Sequence, residues 1–192
     1  MSNASAVVGL GLFLFLRLFP PTYAELANGS FLENLAGWKA AWPVEVRAGE
    51  AVLDDRQTPH VFLFQAVRAD AGFVSITFDF QSTLSDQAAP NAFRDSFYAS
   101  LYEVANPSDF ITEHDKFIAS HGLMDMDASG PFDVQGTVSA TPGRAGWSRF
   151  TGTVPVTQPY VVVVFELYDL NFVVGDSAVH VDNVSVLPGA AP

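Results

Sequence analysis

The sequence predicts an all-β fold in which two antiparallel sheets pack face to face as a β-sandwich. Beyond residue 24, almost no stretch repeats its apolar residues with a helical period. Segments of alternating or continuous apolar character are instead separated by clusters of Gly, Pro, Asn and Asp, and about nine such segments with short links are typical of a sandwich. The 192 residues are 49% hydrophobic and include 17 Phe, which suits one large core.

The first predicted strands form a hairpin and then a longer antiparallel pair. The hairpin covers residues 44–55 and turns at Ala48-Gly49. The pair covers residues 60–67 and 73–80, joined by a short turn at 69–72. The second of these strands alternates strictly, so its apolar side chains share one face. They are Val74, Ile76, Phe78 and Phe80.

The remaining predicted strands lie in the second half of the chain. They cover residues 95–104, 133–141, 146–154, 160–170 and 178–186. The four consecutive valines of the fourth segment are β-branched and lie between Pro159 and Asp169, so they predict a buried central strand rather than a membrane helix.

Two segments are predicted to be loops because neither shows a strand period. Residues 82–94 are polar, and residues 106–132 are long and acidic. Loops of such length inside a compact domain are usually functional or mobile. No shift in composition marks a second domain. Residues 25–187 are therefore interpreted as one domain, and residues 188–192 as a flexible tail.

The first 24 residues predict an export signal rather than a part of the fold. Residues 6–16 form an apolar run that is short for a membrane span, and Thr22 and Ala24 place small residues where signal peptidase reads the chain. Arg17 follows the apolar run instead of preceding it, so an uncleaved N-terminal anchor is the alternative. Cleavage after Ala24 would leave 192 − 24 = 168 residues, secreted or periplasmic and without membrane insertion.

The charge balance argues against two classes of partner. The chain has 21 Asp and Glu against 9 Lys and Arg, a net charge of −12. Nucleic acids and anionic membranes are bound through basic patches, so the composition disfavours both. The chain has no Cys, and an exported fold of this composition therefore depends on its core, or on a metal, rather than on disulfides.

Six short motifs occur in an order that resembles a known family. They are NGSFLENLAGW (28–38), FLFQAV (62–67), VSITFDF (74–80), GWSRFTGTV (146–154), VVFELYD (163–169) and VDNVSV (181–186). The first is similar to the Asn-Gly-small-Phe-Glu opening, with a later Gly-Trp, of the galactose-binding-like jelly rolls. That family includes the carbohydrate-binding modules of exported bacterial proteins. The resemblance spans residues 26–187 and implies a jelly-roll sandwich with a glycan or another cell-surface polymer as its partner.

The last motif contains an irregular step. From Val181 to Val184 the chain advances three residues, whereas side chains on one face of a strand are two residues apart. The resemblance implies that the final strand lies beside the first and that a β-bulge at Asp182-Asn183 turns both valines toward the core.

The resemblance also implies a structural calcium ion near this bulge. Asp182 stands at the matching position, and Asn28 and Ser30 could supply further oxygen ligands. The family's Glu after Phe is replaced by Leu32, and the acid follows one residue later as Glu33, which in a strand would point to the opposite face. Calcium takes roughly six to eight oxygens, so the shift weakens the site. The alternative is that the Asp-Asn pair only stabilises the bulge through hydrogen bonds.

A second candidate calcium loop begins at Asp125. Its D-x-D-x-S-G spacing would turn Asp125, Asp127 and Ser129 toward one cation. The twelfth position is Gly136 rather than Glu, so the loop is not an EF-hand. A solvated acidic turn is the alternative.

Candidate sugar-binding residues are aromatic and polar side chains on the faces opposite the apolar ones. An aromatic ring matches the apolar face of a pyranose, and neighbouring polar groups can bind its hydroxyls. The candidates are Trp42, Tyr98, Tyr102, Tyr168 and Gln81, with Asp79 and Glu166 on the same face. Trp38 and Trp147 are expected to pack inside. Core packing is the alternative for each aromatic residue.

Known catalytic motifs do not occur in the sequence. It has no G-x-S-x-G elbow, no Cys and no glycine-rich phosphate loop. Pairs among Asp79, Glu166 and Asp169 could support glycosidic chemistry. His114 and His121 lie near acids of the long loop, but without the tight spacing of a metal site.

The leading hypothesis is non-catalytic glycan binding at or outside the cell surface. A structural or adhesive surface protein is the alternative, and a hydrolase or lyase is the third hypothesis.

Overall fold

The computed structural model describes residues 26–87, 94–108 and 117–190. The predicted leader lies outside these ranges, as does His114. Twelve β-strands make up the described part, and no helix occurs in it. Accordingly, these ranges hold no helix with the length and hydropathy needed to span a membrane.

The first sheet, here sheet A, has six strands in the order β1-β4-β11-β6-β7-β8. Its strands are β1 (Lys39–Ala41), β4 (His60–Arg68), β6 (Ser96–Val104), β7 (Ala119–Asp127), β8 (Gly130–Val134) and β11 (Tyr160–Tyr168). The valine-rich β11 is central, between β4 and β6, as its continuous apolar run predicts.

The second sheet, sheet B, has six strands in the order β2-β3-β12-β5-β10-β9. Its strands are β2 (Glu45–Arg47), β3 (Glu50–Asp54), β5 (Gly72–Thr83), β9 (Thr137–Ala140), β10 (Ser148–Val156) and β12 (Ala178–Gly189). The strand pairs of both sheets are antiparallel. The predicted two-sheet antiparallel sandwich is therefore confirmed.

The core lies between the sheets and is rich in aromatic rings. Phe78 of β5 stacks on Phe150 of β10 with ring centroids 4.9 Å apart. Across the sandwich, Phe78 meets Phe165 of β11 edge to face at 5.0 Å. All three rings are fully buried, and such offset and edge contacts are the favoured aromatic geometries. The alternation in β5 thus determines which of its faces packs in the core between the two sheets.

The predicted bulge in the last strand is confirmed. The register of β12 against β5 shifts between Asp182 and Ser185, and Asn183 takes the left-handed conformation with φ 50°. Val181 is 0% exposed and Val184 is 6% exposed, so both face the core. An extra residue in αL is the geometry of a G1-type bulge, with Asn in place of the usual Gly.

The prediction that the last strand lies beside the first is wrong. β12 lies between β3 and β5, while β1 belongs to the other sheet. The segment of the first motif forms turns rather than a strand, and it reaches the bulge through its backbone, where Val184 N–H donates to Gly29 O at 2.9 Å. A Cβ at Gly29 would lie 1.9 Å from Val184 O, so only Gly permits this approach.

The prediction of one long loop over 106–132 is also wrong in part. β7 lies within it, β8 begins within it at Gly130, and the two strands form a hairpin beside β6. The register of β6 and β7 shifts at Ala99/Ser100, which breaks the alternation of β7 and leaves Leu123 and Met124 buried side by side. A strand with Gly, two Asp and a broken period carries little local signal, and its pairing with β6 defines it.

Candidate functional site

A cleft of about 430 Å³ opens on the outer face of sheet A, over the central strands β6 and β11. We call it the tyrosine cleft. It is lined by Tyr98, Ser100, Tyr102, Glu166, Tyr168 and Leu170. Its volume falls within the range of small-molecule sites, roughly 300–1,000 Å³.

Strand alternation and register bring these side chains together. Tyr98, Ser100 and Tyr102 are two residues apart on β6 and point outward, while Ala99 and Leu101 between them are fully buried in the core. On β11, Glu166 is paired directly with Tyr98. The cleft is therefore built on the two central strands of the sheet rather than on loops.

The rings and the carboxylate of the cleft form a connected cluster. Tyr98 meets Tyr168 edge to face with centroids 5.5 Å apart. His60 stacks on Tyr168 at 4.0 Å, and its Nε2 lies 3.2 Å from Glu166 Oε1. The same oxygen accepts a hydrogen bond from Tyr168 OH at 3.2 Å. These contacts hold Tyr168 and Glu166 in place before any ligand arrives.

The electrostatics of the cleft favour hydroxyl donors and acceptors over anionic partners. Burial and the nearby Glu166 carboxylate raise the pKa of Tyr168, and the same two causes raise the pKa of Tyr102. Both phenols therefore stay protonated at neutral pH. Asp125 of β7 lies beside Tyr98 in the register, and burial together with the charge of Asp133 raises its pKa. The cleft thus has an acid in its lining, Glu166, and a second acid, Asp125, on the neighbouring strand.

The structure separates the other two sugar-binding candidates from the tyrosines. Trp42 is 62% exposed, as predicted for a surface residue, but it follows β1 at the edge of sheet A and does not line the cleft. Gln81 lies on β5 of sheet B, so the expectation that it shares a face with the tyrosines is wrong. The period of a strand tells which side chains share one of its faces, but not which sheet that strand joins.

The two other tryptophans are buried, as expected, but in different places. Trp38 packs in the core against Phe31 and Phe165. Trp147 is covered instead by the guanidinium of Arg144, whose Cζ lies 3.5 Å from the ring centroid.

Sequence reasoning missed several residues of the cleft region. Ser100 is a small polar residue between two tyrosines, and Leu170 follows the end of β11. His60 contributes through its stacking on Tyr168, and it lies opposite that residue in the β4–β11 register. The local pattern holds no signal for that pairing, because the two strands are far apart in the sequence.

At the first predicted calcium position, the Asp182 carboxylate is paired with an arginine side chain. Arg144 donates to Asp182 Oδ2 and to Glu50 Oε1, each at 2.6 Å. Asn28 donates to Asn34 O at 2.7 Å and accepts from Glu33 N–H at 3.1 Å, so its side chain closes the N-terminal turn, the segment that also contains Ser30. A guanidinium thus pairs with Asp182, and calcium binding at this position remains a prediction.

The second predicted calcium loop is the hairpin turn between β7 and β8. Asp127 Oδ1 accepts from Ser129 N–H at 2.7 Å, and Ser129 Oγ accepts from Arg94 at 2.6 Å. Asp125 lies further along β7, paired in register with Asp133 of β8. Calcium binding at this loop remains a prediction.

The carboxylates suggested for glycosidic chemistry lie in three different places. Asp79 is paired with Arg149 on the outer face of sheet B, Glu166 lies in the tyrosine cleft, and Asp169 follows β11 in a buried turn. The expectation that they share a face is wrong. His121 lies 2.8 Å from Glu103, and its suggested partner His114 is outside the described residues.

Comparison with known proteins bears on the fold. No protein-family model matches the sequence, and no curated protein sequence is significantly similar to it. TmCBM61 in complex with β-1,4-galactotriose superposes with a TM-score of 0.51 at 10% identity, over 86% of this chain and 99% of that one. The carbohydrate recognition domain of Emp46p in a potassium-bound form gives 0.51 at 11%, over 88% and 98%. This domain has the jelly-roll fold of carbohydrate-binding modules. The resemblance seen in the six motifs is thereby confirmed at the level of the fold.

Proposed function

We propose that the domain binds a neutral carbohydrate in the tyrosine cleft, without catalysis, at or outside the cell surface. The observation that carries the proposal is the convergence of Tyr98, Tyr102 and Tyr168 around one carboxylate on a rigid sheet face. The carbohydrate-binding neighbours of the same fold support the class of ligand, since TmCBM61 was crystallised with a galactotriose.

The chemistry of the cleft matches a sugar ring. The apolar face of a pyranose packs on an aromatic ring, while its hydroxyls need acceptors and donors at the rim. Glu166 can accept two hydroxyl hydrogen bonds, which are strengthened by its charge, and Ser100 can donate or accept. Among the described residues, Glu166 is the one carboxylate in the lining of the cleft, and it is assigned here to hydrogen bonding with sugar hydroxyls.

The first test is a glycan array, followed by calorimetric titration of the best oligosaccharide. Tyr98→Ala is expected to lower the affinity at least tenfold, about 1.4 kcal/mol, because it removes one aromatic wall. Phe132→Ala is the matched control, because Phe132 is 62% exposed on β8 and does not line the cleft. Trp42→Ala is expected to bind as the wild type does. A wild-type domain that binds no glycan, or a Tyr98→Ala variant of full affinity, would reject the proposal.

A second candidate function is adhesion to another protein through the loop after β11. In this loop Phe172 is 77% exposed and Val174 is 68% exposed, with the less exposed Val173 between them. Exposed apolar side chains next to each other favour a contact surface. Phe172→Ser would then abolish adhesion to a partner while leaving the affinity for glycans unchanged, which separates the two functions.

A further inference from the structure

Four aspartates that belong to neither position predicted for calcium come at the ends of strands. Asp55 follows β3, Asp95 precedes β6, Asp169 follows β11 and Asp176 precedes β12. Carboxylate oxygens of Asp55, Asp95 and Asp176 all lie within 4.8 Å of one another. Asp55 is 1% exposed and Asp95 is 0% exposed. We call Asp55, Asp95 and Asp176 the aspartate cluster.

The negative charge of the aspartate cluster is not balanced by a side chain among the described residues. No ion pair of the described ranges reaches Asp55, Asp95, Asp169 or Asp176. The nearby Arg56 forms its ion pairs with Asp54 and Glu45 and acts on Asp55 only through its electrostatic field. Buried charges are normally paired or coordinate a metal, so an uncompensated group of this kind needs an explanation.

Hydrogen bonds explain part of the arrangement. Asp55 accepts from Gly175 N–H at 2.7 Å, and Asp95 accepts from Leu170 N–H at 2.9 Å and from Ser177 Oγ at 2.6 Å. These bonds fold the loop between β11 and β12 over the two carboxylates. They do not explain Asp176, whose Oδ1 is buried and accepts no hydrogen bond.

The Asp176 Oδ1 atom, which is buried and accepts no hydrogen bond, is the observation that points to a ligand. A buried carboxylate oxygen without a donor is destabilising, and the Asp176 carboxylate to which it belongs lies within 4.8 Å of the carboxylates of Asp55 and Asp95, which repel it. A cation between the three carboxylates would turn this repulsion into attraction.

We propose that the aspartate cluster binds a calcium ion, with oxygens of Asp55, Asp95 and Asp176 as its protein ligands. All three ligands are hard anionic oxygens, which favour hard cations over the softer transition metals. They are held by loops of irregular geometry, and calcium accepts such geometry more readily than magnesium. A cavity of about 170 Å³ adjoins the cluster at Asp176, and its lining also includes Asp54 and the guanidinium side chains of Arg47 and Arg56. This site goes beyond the proposed carbohydrate binding and is independent of it.

The key variant is Asp176→Asn, tested on the whole domain by thermal unfolding and calorimetric titration with CaCl₂. Asp176 accepts only one long bond, from Asn171 at 3.3 Å, so the variant keeps the loop intact. In EDTA it is expected to be at least as stable as the wild type, because one buried like charge is gone. In calcium at about 100 times the dissociation constant the wild-type Tm is expected to rise by about 5 °C or more, and the variant by much less.

We expect Asp176→Asn to be at least as stable as the wild type in EDTA but less stable than the wild type in calcium. This reversal of the two Tm values identifies the site. A merely structural acid would give the same order in EDTA and in calcium. Asp125→Asn and Asp182→Asn are the matched controls, since each removes one acid from a different candidate position, and both are expected to retain the calcium-induced shift. A wild-type Tm and titration that do not respond to millimolar calcium would overturn the proposal, as would an undiminished shift in Asp176→Asn. Glycan affinity is not part of this readout, so the two proposals fail separately.

Discussion

Asp79 is a fully buried carboxylate on the outer side of β5, and its neighbours determine its charge. Arg149 of β10 lies opposite it and donates through Nε to Asp79 Oδ1 at 2.6 Å. Asn183 Nδ2 donates to Oδ2 at 3.0 Å, and Thr141 donates as well. Burial acts to raise the pKa of Asp79, but the hydrogen bonds and the guanidinium outweigh it and hold the pKa below 3.8. The Asp79 carboxylate therefore links β5 to β10 through Arg149 and to the bulge of β12 through Asn183.

Replacing Arg149 by Met should destabilise the domain in a pH-dependent way. At pH 7 the variant leaves Asp79 buried and charged without its guanidinium, which we expect to lower the free energy of unfolding by about 3 kcal/mol. The stabilisation by this pair is present above pH 3.8 and is lost as the pH falls toward the lower pKa of the folded state. The difference between wild type and variant, measured by urea unfolding, should therefore persist from pH 7 to about pH 4 and shrink as the pH falls below 3.8.

Arg47→Met serves as the control for this prediction. Arg47 pairs with Glu45, and both side chains are about half exposed. Exposed pairs contribute less than about 1 kcal/mol. Equal losses in the two variants at pH 7 would contradict the role assigned to Asp79.

At the scale of the elements, the bulge in β12 decides how the last strand contributes to the core. Asn183 and Val184 together oppose Phe78 on β5, because the register resumes at Ser185 and Thr77. The αL conformation of Asn183 makes room for the extra residue, and its side chain bonds to Asp79. Asn is one of the few residues other than Gly that adopts αL readily.

Two substitutions at Asn183 separate its backbone role from its side-chain role. Asn183→Val places a β-branched residue at positive φ and is expected to lower the free energy of unfolding by about 2 kcal/mol or more. Asn183→Gly keeps the conformation but loses the bond to Asp79, so we expect a loss of about 1 kcal/mol or less. Ser185→Val, on the next outward position of the same strand, is the control. If Val and Gly at position 183 were tolerated equally in chemical unfolding, the bulge would not depend on this conformation.

At the scale of the whole molecule, the acidic charge restricts which glycans can approach the tyrosine cleft. The net charge is −12, and the cleft itself contains Glu166 with Asp125 beside it. A surface of one sign repels a polyanion over a distance of about one Debye length, roughly 8 Å at physiological salt. Neutral glycans carry no such penalty.

Binding should therefore discriminate by ligand charge. A neutral oligosaccharide is expected to bind with nearly the same affinity in 50 mM and 500 mM NaCl, while sulfated or uronic-acid chains should bind weakly at low salt and gain from added salt. Calorimetric titration at the two salt concentrations measures this directly. Preference for a polyanionic glycan at low salt would contradict the assignment of Glu166 to the binding surface.

Local pattern was sufficient for much of the fold. The strict alternation of Val74 to Phe80 and the valine run of β11 marked an inward face and a central strand, and the odd step between Val181 and Val184 marked the bulge. Each of these signals depends only on the period of a strand and on side-chain character. β7 was missed because its pairing with β6, rather than its own sequence, stabilises it.

The sequence by itself determined the all-β class, the inward faces and the outward tyrosines. Only the tertiary structure decided that Tyr98 and Tyr168 meet on one sheet while Gln81 faces away on the other. It also brought Asp55, Asp95 and Asp176 together from three loops, and paired Asp182 with Arg144. The physical reason is that a strand's period of two fixes the sides of each strand, whereas the choice of neighbours follows from burying all the inward faces at once.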